Sequence, residues 1–272
     1  MSNASEYFDK SSDEYVDKWR LLHDDPSNPT LYFRAQMTRR MLEMAAVRQG
    51  ENLVELGCGT GLVLKESLEW TRPVFGTDIS LEMLQRLQDA VLTERAVHVV
   101  SDFANISGDA DVYLMVDDVR KVSLPKEYFD VILSMEVLRY VDDIERCFER
   151  VRAIAKPTSR FVFSITNLWS TSLFPTKFAI RKRLGRFNEE REVHQYFVTE
   201  RSVREKLREA GFEIYELDRI RLLSAIPLLS RLLTRRRSFK GLQRIQAIDD
   251  ALSKIPIIQK FCDTFLIAAT PR

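Results

Sequence analysis

The stretch Leu53-Val54-Glu55-Leu56-Gly57-Cys58-Gly59-Thr60-Gly61 decides how this chain folds. An apolar run carrying one acid breaks into glycines at alternate positions. Leu53 to Leu56 predicts a buried parallel strand. The glycines that follow let the backbone turn tightly and come close to a ligand. Leu62 to Trp70 is predicted as the next helix. A strand, a glycine turn and a helix make the ligand crevice of an open α/β sheet, at the carboxyl ends of its strands. Spacing then excludes two ligand classes. The dinucleotide fingerprint needs glycines at offsets 0, 2 and 5, and offset 5 from Gly57 is Leu62. The phosphate loop ends in Gly-Lys-Ser/Thr, whereas Gly61 is followed by Leu62 and Val63.

The motif resembles motif I, acidic-x-Gly-x-Gly-x-Gly, of the class I S-adenosylmethionine-dependent methyltransferases, with Glu55 as the acid. Three further stretches extend the resemblance. Val74-Phe75-Gly76-Thr77-Asp78 reads as a short strand ending in an acid, with Ser80 placed to cap a helix over Leu81–Leu92. Tyr113 to Val116 leads into Asp117, Asp118 and Val119, followed by Leu124-Pro125. Phe129 to Ser134 is a continuous apolar run of the kind found in strands buried on both faces. It continues as Met135-Glu136-Val137-Leu138-Arg139-Tyr140-Val141-Asp142. That last segment is similar to the Ser-x-Glu-Val-Leu-x-His-Val-x-Asp stretch of small-molecule methyltransferases, with Tyr140 where a histidine is common.

The resemblance implies an α/β, Rossmann-like seven-stranded sheet with helices on both faces and the last strand antiparallel. It implies S-adenosylmethionine as methyl donor and S-adenosylhomocysteine as product. By the same resemblance, Glu55 with Gly57, Cys58, Gly59 and Gly61 holds the methionine end. Asp78 holds the ribose, and Ile79 and Met83 join the cofactor set. Asp118, with Asp117 as the alternative, and Val119 meet the adenine, while Met135 and Glu136 lie beside the sulfur. Tyr15 and Arg34 are candidates for the cofactor carboxylate, for which a guanidinium is physically apt. Glu192-Val193-His194-Gln195-Tyr196-Phe197 resembles a further family stretch and makes His194 the candidate general base.

Other elements complete the expected architecture. Phe33–Val47 has Met37, Met41, Met44 and Ala45 on one face and predicts an amphipathic helix closed near Gly50. Ile144–Ala155 and Ser202–Ala210 are predicted helices, the second capped by Thr199 or Ser202. Arg160–Thr166, Phe212–Leu217 and Phe265–Ala269 are predicted strands. Residues 97–110 remain unassigned. Residues 1–48 are expected to form an N-terminal helical segment over the cofactor site, and 49–272 the methyltransferase domain. Insertions 167–195 and 219–261 exceed a minimal fold and are expected to form a small helical substrate cap.

The second insertion is distinctive. Ile220–Leu233 is rich in Leu and Ile, then Arg235, Arg236, Arg237 and Lys240 follow. Three readings stay open: a packed lid or dimer face, peripheral contact of residues 220–240 with an anionic membrane, or a grip on an anionic substrate or nucleic acid. Monomer and homodimer are both open.

Composition narrows the function classes. The 272 residues carry net charge +1, which gives no global field toward nucleic acid, and no nucleic-acid partner is expected. The Asn/Asp-Pro-Pro-Tyr and Pro-Cys motifs of base methylators are absent. Three cysteines without framework spacing argue for a reducing, cytoplasmic compartment, with peripheral membrane association as a variant. Cys58 reads as a small residue rather than a reactive one. No Cys or His pair has metal-ligand spacing, so no metal is expected. No early apolar core and no apolar run of about 20 residues predicts a leader or a membrane span. The reading is methyl transfer to a small-molecule acceptor, with oxygen favoured. The alternatives are a protein methyltransferase and a cofactor-binding scaffold without its own acceptor.

Overall fold

The computed structural model describes residues 4–12, 27–90, 92–106, 110–188, 192–236 and 238–272. Eight strands form one sheet: β1 Leu53–Leu56, β2 Val74–Asp78, β3 Val97–Val100, β4 Val112–Val116, β5 Phe129–Ser134, β6 Ala155–Thr166, β7 Phe212–Ile220 and β8 Thr264–Pro271. Their order across the sheet is β3-β4-β2-β1-β5-β6-β8-β7. The ladders joining β3 through β6 are parallel, and β8 is antiparallel to both β6 and β7. The returning last strand is therefore as expected, but the strand count is corrected from seven to eight. The extra strand, β3, comes from the unassigned stretch and pairs only with β4 at the sheet edge. Its side chains are half-buried or exposed. With no buried face, it leaves no clean alternation in the sequence.

Nine α-helices flank the sheet among the described residues: α1 over residues 4–12, α2 Pro29–Ala45, α3 Leu62–Ser67, α4 Leu81–Ala90, α5 Ile144–Ile154, α6 Phe174–Arg183, α7 Glu200–Glu209, α8 Pro227–Arg236 and α9 Phe239–Leu252. Successive strand residues point to opposite faces, which splits the core in two. Leu53, Val74, Val131 and Val162 pack against Met41, Leu64, Leu84 and Leu87 of α2, α3 and α4. Val54, Phe75, Ile132 and Phe161 pack against Phe148, Val151, Val203 and Leu207 of α5 and α7. Phe161 stacks on Phe163 with ring centroids 4.7 Å apart. Full burial of each such side chain contributes about 1.5–3 kcal/mol.

Element ends follow local chemistry. The α2 helix starts four residues before its predicted start, because the Asn28 side chain accepts from Thr30 N–H and Pro29 sits in the first turn. It ends at Ala45, since Ala46 takes the left-handed conformation. Thr199, rather than Ser202, caps α7. The β6 strand begins at Ala155, earlier than predicted, and runs through Pro157 at a register irregularity beside Phe129 and Val131, where a strand tolerates proline.

Both insertions leave the carboxyl edge of the sheet. The 167–195 segment follows β6, and 219–261 joins β7 to β8. Their roots are tied together: Asn167 Nδ2 donates to the carbonyls of Lys260 and Cys262, and Thr171 Oγ1 donates to that of Leu222. The buried Asp249 of α9 accepts from the backbone N–H groups of Leu223 and Ser224. Leu242 of α9 packs on Tyr32 and Phe33 of α2.

Candidate functional site

The carboxyl ends of β1, β2, β4 and β5 surround a cavity of about 330 Å³. The glycine turn forms its floor. Gly57 and Cys58 N–H groups both donate to the Thr77 carbonyl, at 2.7 and 2.8 Å, which pins the turn to the end of β2. Gly57 has φ +72°, and a Cβ there would stand 2.4 Å from Val137 Cγ2. The site therefore accepts only glycine without rearrangement. Gly61 lies behind the cavity wall rather than on it: a Cβ there would meet Leu87 of α4.

Glu55 lies at the end of β1 and is 2% exposed. Burial pushes its carboxyl well above the ordinary value, a backbone N–H of Leu64 in α3 pulls it down, and Asp78 pushes it further up. Its Oε2 has no hydrogen-bond partner. Such an atom is costly in a dry interior, and Glu55 is among the residues lining the cavity.

Asp78 closes β2. Its Oδ2 accepts from Gly59 N–H at 2.8 Å and its Oδ1 from Ser80 N–H at 3.0 Å. Burial raises the carboxyl to about 6 despite these donors. Ser80 caps α4, accepting from Met83 N–H at 3.0 Å. Ser80 also donates to Asp9 of α1, and Ser5 donates to the Ile79 carbonyl. These contacts lay α1 across the end of β2, and Ala4 and Phe8 line the cavity.

The two adjacent aspartates differ. Asp117 accepts from Asp118 N–H and Ser123 N–H, so its carboxylate holds its own loop in shape. Asp118 is gripped by Arg120, whose Nη2 lies 2.6 Å from Oδ2 and which reaches Asp142 at 2.8 Å. Burial raises the Asp118 carboxyl, but Arg120 outweighs it and holds the group below its usual range.

Beyond β5 the backbone is strained at Glu136, φ +61°. Its N–H donates to Ser164 Oγ at 2.7 Å. Burial raises the Glu136 carboxyl, yet Arg139, Arg34 and Arg221 overcome this and keep it ionised below its usual value. Non-glycine residues in this conformation cost about 1–3 kcal/mol and cluster at functional sites. Met135 Sδ accepts from Thr38 Oγ1 of α2.

His194 closes the outer side. Its Nδ1 lies 3.4 Å from Lys182 Nζ of α6. An ammonium has only protons to give, so Nδ1 accepts and the ring proton sits on Nε2. That tautomer makes Nε2 a donor, whereas a base acting through Nε2 needs the proton on Nδ1.

Of the residues singled out from sequence, Arg34, Glu55, Gly57, Cys58, Gly59, Asp78, Ile79, Met83, Asp118 and its alternative Asp117, Val119, Met135, Glu136 and His194 line this one cavity. Tyr15 lies outside the described residues. Among the described residues, none of those lining the cavity comes from 219–261, although Arg221 of that insertion acts on Glu136. The first insertion contributes Val193 and His194. Sequence reasoning missed Phe8, Arg120, Arg139 and Tyr196. Arg139 and Tyr140 sit in a 3₁₀ turn, Leu138–Tyr140, that directly continues the strand-end motif, which was a usable signal. Nothing in the sequence of α1 marks Phe8; its ring meets Tyr140 at 5.3 Å through tertiary docking alone.

No group of three or more potential metal ligands occurs among the described residues, and no helix of theirs is long and apolar enough to cross a membrane.

Comparison with known proteins places these features. A family model described as a methyltransferase domain matches residues 31–217. A ubiquinone biosynthesis O-methyltransferase of Rhodopseudomonas palustris is 29% identical over 119 residues, 44% of this chain and 41% of that protein. One from Coxiella burnetii is 24% identical over 173 residues, 61% of this chain and 66% of that protein. The matched region thus spans less than two thirds of either relative. Among solved structures, a methyltransferase from a Haloferax volcanii complex with the Trm112 methyltransferase activator aligns with TM-score 0.61 at 19% identity, covering 97% of each chain. Magnesium protoporphyrin IX methyltransferase of Synechocystis, solved with bound S-adenosylhomocysteine, aligns with TM-score 0.60 at 15% identity, covering 99% of this chain and 98% of that one. At these identities the structures speak for the fold.

Proposed function

The chain belongs to the methyltransferase-domain family, and from that membership we propose that it transfers the methyl group of S-adenosylmethionine to an oxygen of a small-molecule acceptor. The observation that carries the reading is the buried carboxylate pair, Glu55 and Asp78, set on a pinned glycine turn at one cavity. A buried carboxylate oxygen with no partner suits a cation. When bound, the cofactor supplies a methyl carbon made electrophilic by the sulfonium, ready for in-line displacement.

The residues of this chain bind, orient and exclude water. Glu55 and the glycine turn hold the methionine end, with Arg34 for its carboxylate. Asp78 accepts from the ribose hydroxyls. Asp118, fixed by Arg120, accepts from the adenine amine, and Val119 covers the ring. Met135 and Glu136 position the reacting end. Oxygen as acceptor atom draws its support from the O-methyltransferase relatives. Alignment of the acceptor with the methyl carbon is the main catalytic contribution asked of the protein.

Calorimetry tests the cofactor assignment and carries a pH signature. Asp78 titrates near 6 in the free protein, and Glu55 is also raised above its ordinary value. Both bind a partner best when ionised. Affinity should therefore fall as pH drops through about 6, by about tenfold per unit for the Asp78 proton. At pH 6, binding should release protons, seen as a buffer-dependent heat. No heat with either S-adenosylmethionine or S-adenosylhomocysteine would remove the proposal.

His194 addresses the acceptor. His194→Ala is expected to slow methyl transfer about ten- to a hundredfold, the value of one lost hydrogen bond in a dry site, with cofactor affinity unchanged. His194→Gln should retain part of the rate if Nε2–H donates to the acceptor oxygen. Equal loss in both variants would assign a base role instead, and unchanged turnover in His194→Ala would defeat the assignment.

A further inference from the structure

Charge and apolar exposure are distributed unevenly over this chain, and the two insertions carry the anomaly. No acidic residue occurs between Asn167 and Asn188, a stretch holding Lys177, Arg181, Lys182, Arg183 and Arg186. None occurs between Arg219 and Ile248, a stretch holding Arg231, Arg235, Lys240 and Arg244 among others. In a chain of net charge +1 this is a strong local segregation.

The same segments expose large aliphatic side chains. Leu184 is 60% exposed, Leu228 70% and Ile257 72%, and Ile180 on α6 and Leu232 on α8 add to them. Most of the exposed large apolar residues of the described structure lie in these two insertions. Single exposed apolar residues are ordinary, but a concentration of them set among basic residues marks an interaction face.

We propose that α6 together with α8 and α9 forms a docking surface for an anionic lipid bilayer. Charge complementarity identifies the partner: anionic headgroups attract juxtaposed Lys and Arg, and the aliphatic tips enter the headgroup boundary. A polynucleotide would satisfy the arginines and leave Leu184, Leu228 and Ile257 in water. The bilayer satisfies both. The insertions share one sheet edge and are tied at their roots by Asn167 and Thr171, so they can present a common face.

The surface adjoins the cavity. Lys182 of α6 reaches His194, and Arg181 pairs with Glu192, two residues before it in sequence. On the proposed function, which this last step takes as its premise, an acceptor dissolved in the bilayer would meet the wall of the cavity without crossing bulk water.

Vesicle flotation of the full chain tests the docking. Neutral phosphatidylcholine vesicles are compared with vesicles in which about a third of the lipid is phosphatidylglycerol. The protein should float with the anionic vesicles only. Lys177→Glu/Arg183→Glu/Arg186→Glu, and separately Arg231→Glu/Arg235→Glu/Arg244→Glu, should each cut the partition coefficient by about a hundredfold. Leu228→Ser/Leu232→Ser should weaken binding with charge intact. None of these residues lines the cavity, so calorimetric binding of S-adenosylhomocysteine by each variant shows that it is folded and separates this test from that of the proposed function. No flotation of wild type, equal flotation on neutral vesicles, or wild-type flotation of both charge variants overturns the proposal. So does a size-exclusion dimer dispersed by Leu228→Ser/Leu232→Ser, or tight binding of transfer RNA without vesicle binding.

Discussion

Asp78→Ala is expected to weaken S-adenosylmethionine binding by more than about a hundredfold. Hydrogen bonds to a charged group are worth about 1.5–3 kcal/mol each, and this carboxylate is asked for two ribose bonds. It also fixes the glycine turn, accepting from Gly59 N–H at 2.8 Å and Ser80 N–H at 3.0 Å. The alanine variant therefore loses the ligand contacts and the shape of the cradle together. Asp78→Asn keeps only one of the two turn bonds, because its NH2 would face the other N–H donor. The amide keeps the volume but offers one acceptor oxygen where two are used, so most of the affinity should still go.

Stability should move the other way. Burial raises the Asp78 carboxyl from 3.8 to about 6. An acid raised in the folded state favours folding when protonated and penalises it when ionised. The penalty is absent below about 3.8, grows through about 6, and reaches about 3 kcal/mol at neutral pH. Asp78→Asn removes it, so the unliganded variant should unfold at a urea concentration no lower than wild type at pH 7. At pH 4 the advantage should vanish. A variant that binds poorly yet resists urea is the expected trade between function and stability. Wild-type affinity in Asp78→Ala would remove Asp78 from the site.

This opposition explains why Glu55 and Asp78 were legible in the sequence. Acids at the ends of apolar runs are poor choices for folding, so Glu55 and Asp78 stand out against Leu53–Leu56 and Val74–Thr77. Glycines at positive φ stand out likewise. Other parts of the cavity lining have no such contrast. Tyr196 and Phe8 become neighbours of the cavity only through loop and helix docking, which leaves no period in the sequence. The edge strand β3 escaped for a related reason: Val97–Val100 buries neither face fully. The periodic apolar positions of 219–261 did not show their partner either: Leu242 of α9 packs on Tyr32 and Phe33 of α2. Apolar periodicity shows that a helix has a partner, not which one.

Gly57→Ala is expected to destabilise the protein strongly. Two costs combine. Left-handed backbone at φ +72° costs a non-glycine residue about 1–2 kcal/mol. The new Cβ also meets Val137 Cγ2 at 2.4 Å, Cγ1 at 2.7 Å and Cβ at 3.1 Å. A valine is short and β-branched, so it cannot swing clear, and overpacking of this kind costs about 1–3 kcal/mol. The sum, about 2–5 kcal/mol, is a large part of a domain's stability. Gly50→Ala is the control, with φ +80° and nothing within 4 Å of its added Cβ. It should lose the backbone cost alone. In a Val137→Ala background the two methyls responsible for the overlap are gone, leaving the contact at 3.1 Å, which a shift of a few tenths of an ångström relieves. There Gly57→Ala should cost little more than Gly50→Ala, a coupling of about 1–3 kcal/mol. Val137 lines the cavity, so the single variant should lose cofactor affinity as well, while Gly50→Ala keeps it. Denaturant titrations of the four variants decide the matter, and equal losses in Gly57→Ala and Gly50→Ala would show that the turn does not need to lie against Val137.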